Sequence, residues 1–279
     1  MRLSRHEPDI ARRQQPAADG IVEPWQVEAA LRRDTILVSL MHVNNEIGVA
    51  QDVGSVGRLC RERGILFHVD AAQGAGKLPI HVERDCIDLL ALTAHKLHGP
   101  KGVGALCVRR EPRLGLAPLS RGGGQERGLR PGTLATHQVV GMGVACRIAA
   151  EVREQESARI ASLRKRLWQG LSLLPGVMLN GHPSQRAPGI LSVTVDGVEG
   201  ESLLYALPEL AVASGSACAT SSAEPSYVLR ALGRSDRLAQ SSLRLSLGRY
   251  NTEADVDLAV RSIGTAVERL RALAPGGAA

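Results

Sequence analysis

Three short stretches hold residues whose types and spacing could do covalent chemistry. In LTAHKLHGPKGVG, residues 92–104, Lys96 stands just after an apolar run and before a Gly/Pro turn. An amine held there, away from bulk water, has a lowered pKa and becomes a nucleophile toward an aldehyde. Thr93 and His95 beside it can donate hydrogen bonds to a phosphate. Upstream, HVDAAQ ends a second apolar run at Asp70. A carboxylate at that position can pair with a buried pyridinium nitrogen and keep the ring an electron sink. Gln73, three residues on, could reach the ring's phenolic oxygen. Taken singly, such a lysine reads as a surface residue and such an aspartate as a helix N-cap. Together, an Asp beyond one strand and a Lys beyond the next form a pair of pyridoxal-phosphate type.

The third stretch is ASGSACATSSAEPSYVLRALG, residues 213–233, where Cys218 sits among Ser, Ala, Gly and Thr. Small residues in that density read as a loop, and a thiol on an exposed loop can act as a thiolate nucleophile. Of the other four cysteines, Cys60 falls on a helix's apolar face, Cys107 in a strand and Cys146 in a long helix, so all three are expected to be packed. Cys86 has no such assignment. No CxxC pair is present, and the odd, wide spacing suggests neither a zinc site nor a disulfide framework.

The elements that must position these residues alternate. A short helix is expected in VEPWQVEAALRR, then a buried strand in TILVSLMHV ending at Asn44 and Asn45. Helical spacing of Val53, Val56, Leu59 and Cys60 follows, with Gly64 placed to cap the helix. ILFHVD, DLLALTAH and VGALCVRR supply three more strands. Strands alternating with helices predict an open α/β sheet whose first members are parallel, with ligands gathering beyond the carboxyl ends of the strands. From Ala135 to about Leu174 the periodicity is helical, with a break expected near Gly141 or Gly143. Short strands (VMLN, ILSVTVDG, SSLRLSLG), the helix GESLLYAL and a closing helix from Thr252 follow, the last with Thr252 and Asp255 in a capping-box arrangement. This predicts residues 1–19 as a tail, 20–150 as a large cofactor-binding domain, and 151–279 as a smaller α+β domain carrying the cysteine loop.

Composition narrows the function classes. With 2% aromatic residues, the core must be aliphatic. The net charge of +6 comes from scattered Arg residues with no basic run interleaved with aromatics, so nucleic acid is not an expected partner. No apolar stretch is long enough to cross a membrane, and the charged opening segment does not read as a signal peptide. The cytoplasm is the expected compartment.

The motifs MHVNNEIG, HVDAAQ, TAHKLHGPKG, GGGQERGLRPGT, SGSACATSSAEPSYVLRALG and SSLRLSLGRY occur in the order found in cysteine desulfurases. They resemble the branch that serves iron–sulfur cluster assembly and nitrogen fixation, within the class V aminotransferases. The resemblance runs from about Asp19 to Leu273. It implies a fold-type I pyridoxal-phosphate enzyme, normally a homodimer. It further implies that Lys96 carries the cofactor covalently, Asp70 binds the pyridine nitrogen and Gln73 the phenolic oxygen. Thr93 and His95 would hold the phosphate, with Asn45 beside ring and substrate. Arg244 would pair with the substrate carboxylate, and Thr133 would reach the phosphate in the neighbouring subunit. Cys218 would take sulfur from L-cysteine as a persulfide, leaving L-alanine, and deliver it to a scaffold or other acceptor protein.

The strands, phosphate-holding turn and ring-stacking histidine that precede these motifs in relatives have no counterpart in residues 1–19. The large domain is therefore expected to be incomplete on its N-terminal side. Two other readings fit the same motifs. One is a non-catalytic remnant or partner subunit that binds the cofactor weakly; the other is a different class V enzyme, such as a selenocysteine lyase or an aminotransferase.

Overall fold

A computed structural model describes residues 14–110, 114–214 and 224–273. The chain forms α1 (Pro24–Ala30), β1 (Leu37–Met41), α2 (Val53–Glu62), β2 (Leu66–Asp70), β3 (Leu89–Thr93) and β4 (Gly104–Val108). A long helix α3 (Thr136–Leu171) leads into β5 (Val177–Leu179), β6 (Ile190–Val195) and α4 (Gly200–Tyr205). The short helices α5 (Tyr227–Ala231) and α6 (Asp236–Gln240), the strand β7 (Ser242–Ser246) and the helix α7 (Glu253–Leu273) complete it.

The first sheet runs β1-β2-β3-β4. The pairs β1–β2 and β2–β3 are parallel, and β4 returns antiparallel to β3. Parallel strands force their carboxyl ends to one edge, so Met41, Asp70 and Thr93 end together. Val38, Leu40, Phe67, Val69, Leu90 and Leu92 point to a core shared with α1, α2 and the first turns of α3. The alternate residues, among them Ser39, His68 and Leu106, lie on a face with no helix over it among the described residues. There the Ser39 hydroxyl and His68 Nδ1 are 2.8 Å apart. Asp52 starts α2 by accepting from the Ser55 N–H, and Gly64, at φ +67°, follows its last turn as the spacing predicts.

The second sheet, β5-β6-β7, is antiparallel. One face of β6 offers Leu191, Val193 and Val195 to a core with α3, α4 and α7. The other carries a buried hydrogen-bond network. Thr194 Oγ1 donates to Asn180 Oδ1 at 3.0 Å and lies 2.7 Å from the Ser242 hydroxyl, while Asn180 Nδ2 donates to Ser192 at 3.2 Å. Thr252 and Asp255 form the predicted capping box of α7, each accepting from the other's backbone N–H.

Two expectations need correction. Helix α3 runs 36 residues without the break expected at Gly141 or Gly143. A Cβ at Gly141 would stand 3.1 Å from Pro100, so this glycine lets the 100–102 turn lie against the helix. The helix joins both cores, with Ala145 and Ala149 under the first sheet and Leu163, Leu167 and Leu171 under the second. Cys107, expected to be packed, is exposed, because β4 is an edge strand with little over it. Cys60 is buried as expected, and burial raises its thiol pKa to about 11. Cys218 lies outside the described residues.

Candidate active site

Asp70 closes β2, and its Oδ1 accepts from the Ala72 N–H at 2.9 Å, which fixes the carboxylate at the start of a turn. The backbone stays pinned to β3 there, with the Ala71 N–H on the Ala91 carbonyl at 2.8 Å. β3 runs on to Thr93, whose Oγ1 lies 2.9 Å from His95 Nδ1. Lys96 follows on a 3₁₀ turn, Ala94–Leu97, that ends at His98 in the left-handed region. A carboxylate, a hydroxyl–imidazole pair and an amine thus stand at the carboxyl ends of two adjacent parallel strands. That donor set matches the separate needs of pyridoxal phosphate: a partner for its ring nitrogen, donors for its phosphate and an amine for its aldehyde.

The loop after β1 brings a second group. Asn44 Oδ1 accepts the N–H groups of Glu46 and Ile47 at 2.9 and 3.0 Å, a side-chain turn that presents Asn45. Arg244 arrives from β7 in the other sheet and donates from Nη1 to the Asn45 carbonyl at 3.1 Å. Its Nε is buried with no partner among the described residues, a donor free for an anion. Asn45, Gln73, Lys77, His98, Glu156 and Arg244 line one cavity of about 160 Å³. Lys96 is not on its wall, but its charge acts on Lys77. A larger hollow, about 480 Å³, lies away from these residues around Arg61, Cys107 and Arg109. Its buried Asp88 pairs with both of those arginines.

The fold therefore brings Asp70, Thr93, His95 and Lys96 to one sheet edge, and Asn45, Gln73 and Arg244 to one cavity beside it. Thr133 is exposed in the stretch before α3 and is not among the residues lining the cavity. Cys218 is outside the described residues, but the segment leading to it is tied to the cavity: Ala213 and Arg244 exchange backbone hydrogen bonds of 2.7 and 3.3 Å.

Three ionisable residues near the site were not singled out by sequence. Glu46 is buried, and burial raises its carboxyl pKa against the opposing pull of Ser226 and Arg244. His42 is buried against Gly74, where any Cβ would come within 2.2 Å of the ring, and burial lowers its pKa. Lys77 donates to Gln73 Oε1 at 3.3 Å, and desolvation, with Lys96's charge second, lowers its pKa to about 8. The four-residue spacing of Gln73 and Lys77 was visible in the sequence, but not which lysine the fold would enclose.

Residues 9–259 match the family model described as aminotransferase class-V. The cysteine desulfurase IscS of Klebsiella pneumoniae is 55% identical over 260 residues, covering 93% of this chain. That of Shewanella woodyi is 54% identical over the same length. This chain spans 64% of the length of each of these relatives. Among solved structures, a NifS-like protein superposes with a TM-score of 0.82 at 35% identity, over 92% of this chain and 67% of that one. The NifS-like protein of Rickettsia africae gives 0.82 at 25% identity, over 91% and 69%. The match extends ten residues upstream of Asp19, into the stretch read as a tail. With an α/β fold, a family match over most of its length and solved relatives of the same architecture, the chain belongs to the aminotransferase class-V family of pyridoxal-phosphate enzymes.

Proposed function

We propose that this chain carries cysteine desulfurase chemistry, converting L-cysteine to L-alanine and leaving the sulfur on Cys218 as a persulfide. The observation that carries this reading is the meeting of two sets of residues from distant parts of the sequence. Asp70, Thr93, His95 and Lys96 suit the cofactor, and Arg244 with Asn45 and Gln73 suits an amino acid beside it. When bound, the cofactor supplies an electron sink conjugated to the substrate's α-carbon.

The chain's own residues do the rest. Arg244, whose Nε has no partner among the described residues, binds the α-carboxylate as a planar two-donor fork. Asp70 would hold the proton of the cofactor's ring nitrogen with its carboxylate. Thr93 and His95 would hold the cofactor's phosphate, and Gln73 its phenolic oxygen. Lys96 would hold the cofactor through its amine and would take the substrate's α-proton on Nζ. The Cys218 thiolate attacks the substrate sulfur; the Cβ–S bond breaks and an S–S bond forms, so L-cysteine and a thiol become L-alanine and a persulfide. The Ala213–Arg244 pairing brings the root of the Cys218 segment to the carboxylate site. Passage of the sulfur to an iron–sulfur scaffold or other acceptor, assembly as a homodimer with Thr133 reaching across, and a cytoplasmic setting belong to the same reading. Among the described residues no helix is long and apolar enough to cross a membrane.

The test is an absorbance spectrum of the purified chain with added pyridoxal phosphate, then L-cysteine. A visible band of lysine-bound cofactor that shifts with cysteine, with alanine released, is expected. Cys218→Ala should keep the band and lose sulfur transfer; full activity in that variant favours an aminotransferase instead. Neither band nor alanine in the wild type overturns the reading in favour of a non-catalytic relative.

A further inference from the structure

Lys77 has no part in the chemistry above, yet the fold takes trouble to place it. Its carbonyl accepts from the Ser157 hydroxyl of α3 at 2.7 Å, which anchors the backbone. One residue earlier Gly76 sits at φ +70°, where a Cβ would come within 2.5 Å of Leu97 and 3.0 Å of Ala149. Only glycine lets the turn fit between the Lys96 segment and α3. The Lys77 side chain is thereby directed into the cavity that holds Arg244, Asn45 and Gln73. Among the described residues its ammonium bonds only the neutral Gln73 amide and is in no ion pair.

We propose that Lys77 is the proton acceptor that readies the amino-acid substrate, taking a proton from the α-ammonium of a molecule whose carboxylate rests on Arg244. This rests on the reading above only in taking an amino acid as the ligand. In an amino acid the ammonium is one carbon from the carboxylate, so an amino acid held by Arg244 would present its ammonium inside the cavity of about 160 Å³ that Lys77 also lines. The ammonium gives one proton to the Lys77 lone pair. A neutral α-amine with its own lone pair free and a Lys77 ammonium result, and charge is conserved. The proton later leaves to water.

The charged groups facing Lys77 fit this role. Lys96 from the 3₁₀ turn disfavours a second positive charge, and Arg244 from β7 and His98 line the same cavity. The Glu156 carboxylate of α3 is engaged by Arg249 at 2.5 and 2.9 Å, so it is not free to hold Lys77 charged. Burial together with Lys96 brings the Lys77 pKa to about 8, where the amine shares its proton readily near neutrality.

The experiment is a pH titration of the full chain with ¹³C-labelled lysine, followed by NMR. The chain has four lysines, Lys77, Lys96, Lys101 and Lys165, and the resonance lost in Lys77→Met identifies the first. Lys77 should titrate near 8, well below an ordinary lysine at about 10.4; titration with the surface lysines overturns the proposal. This arm can overturn the proposal with or without cofactor, whereas absence of the visible band in the wild type defeats the desulfurase reading alone. In cofactor-loaded protein, Lys77→Met should lower kcat/KM for L-cysteine about 10²-fold near neutral pH. The deficit should close above the ammonium pKa of the free amino acid. Lys77→Arg keeps the charge but cannot give up its proton, so it should fail to rescue. Full rescue by arginine, or a deficit independent of pH, overturns the proposal.

Discussion

The two sheets of this molecule are built to opposite specifications. The four-stranded sheet is packed on one face and open on the other, and its edge strand β4 is exposed along most of its length. The three-stranded sheet is closed on both sides: every residue of β6 is buried, apolar on one face and hydrogen-bonded on the other. Asp70, Thr93, His95 and Lys96 stand at the end of the open sheet, while Arg244 comes from the closed one. Burial and chemistry are thus divided, with one sheet enclosed and the other keeping polar groups accessible at strand ends, and the enclosed sheet is expected to be the last to open.

That division can be broken or sharpened by substitution. The largest effect should come from the open sheet's chemistry: Lys96→Ala should abolish both the visible cofactor band and turnover while leaving the thermal melt nearly unchanged. A retained band would show that another amine holds the cofactor. Next comes the closed sheet's core. Leu243→Ala, at a fully buried position, should lower unfolding free energy by about 2–5 kcal/mol in denaturant titration. A loss no greater than that of a surface substitution would mean that this sheet is not the stable one.

A smaller effect is expected where the halves are clamped. Arg249, beyond β7, donates two hydrogen bonds to Glu156 of α3, and that partner holds the Glu156 carboxyl below the usual glutamate range. Because the folded pKa is depressed, the stabilisation is full above the ordinary glutamate pKa and is lost as pH falls through the lowered value. Glu156→Gln should cost about 1–2 kcal/mol near neutrality. It should also flatten the acid limb of the stability profile; an unchanged limb would place the acid sensitivity elsewhere. The smallest effect belongs to β4: Leu106 is 51% exposed, and Leu106→Ala should change stability by no more than about 0.5 kcal/mol.

What could be read from the residues follows the same division. The strands ending at Asp70 and Thr93 were legible because a buried strand leaves an apolar run with a polar stop. The capping box of α7 was legible because it is local. Cys107 was misjudged because its apolar context reports a strand but not whether a neighbour covers it. The break expected in α3 failed for a related reason. Glycine costs a helix roughly 1 kcal/mol relative to alanine, but tertiary contact along 36 residues outweighs two of them. Lys77 was missed because nothing local separates an enclosed amine from a solvated one; its environment comes from Ser157 and Leu97, far along the chain. The meeting of Arg244 with Asn45, 199 positions apart, was available only through resemblance.

Helix α3 belongs to both sheets, and at 1.5 Å per residue it is about 54 Å long. Its first half leaves Val140 and Val144 exposed, while its second half sinks Leu163, Leu167 and Leu171 into the closed core. In deuterated solvent the amides of this single uninterrupted helix should therefore keep two clocks. Those near Val140 will exchange through local opening, and those near Leu167 only when the closed core comes apart.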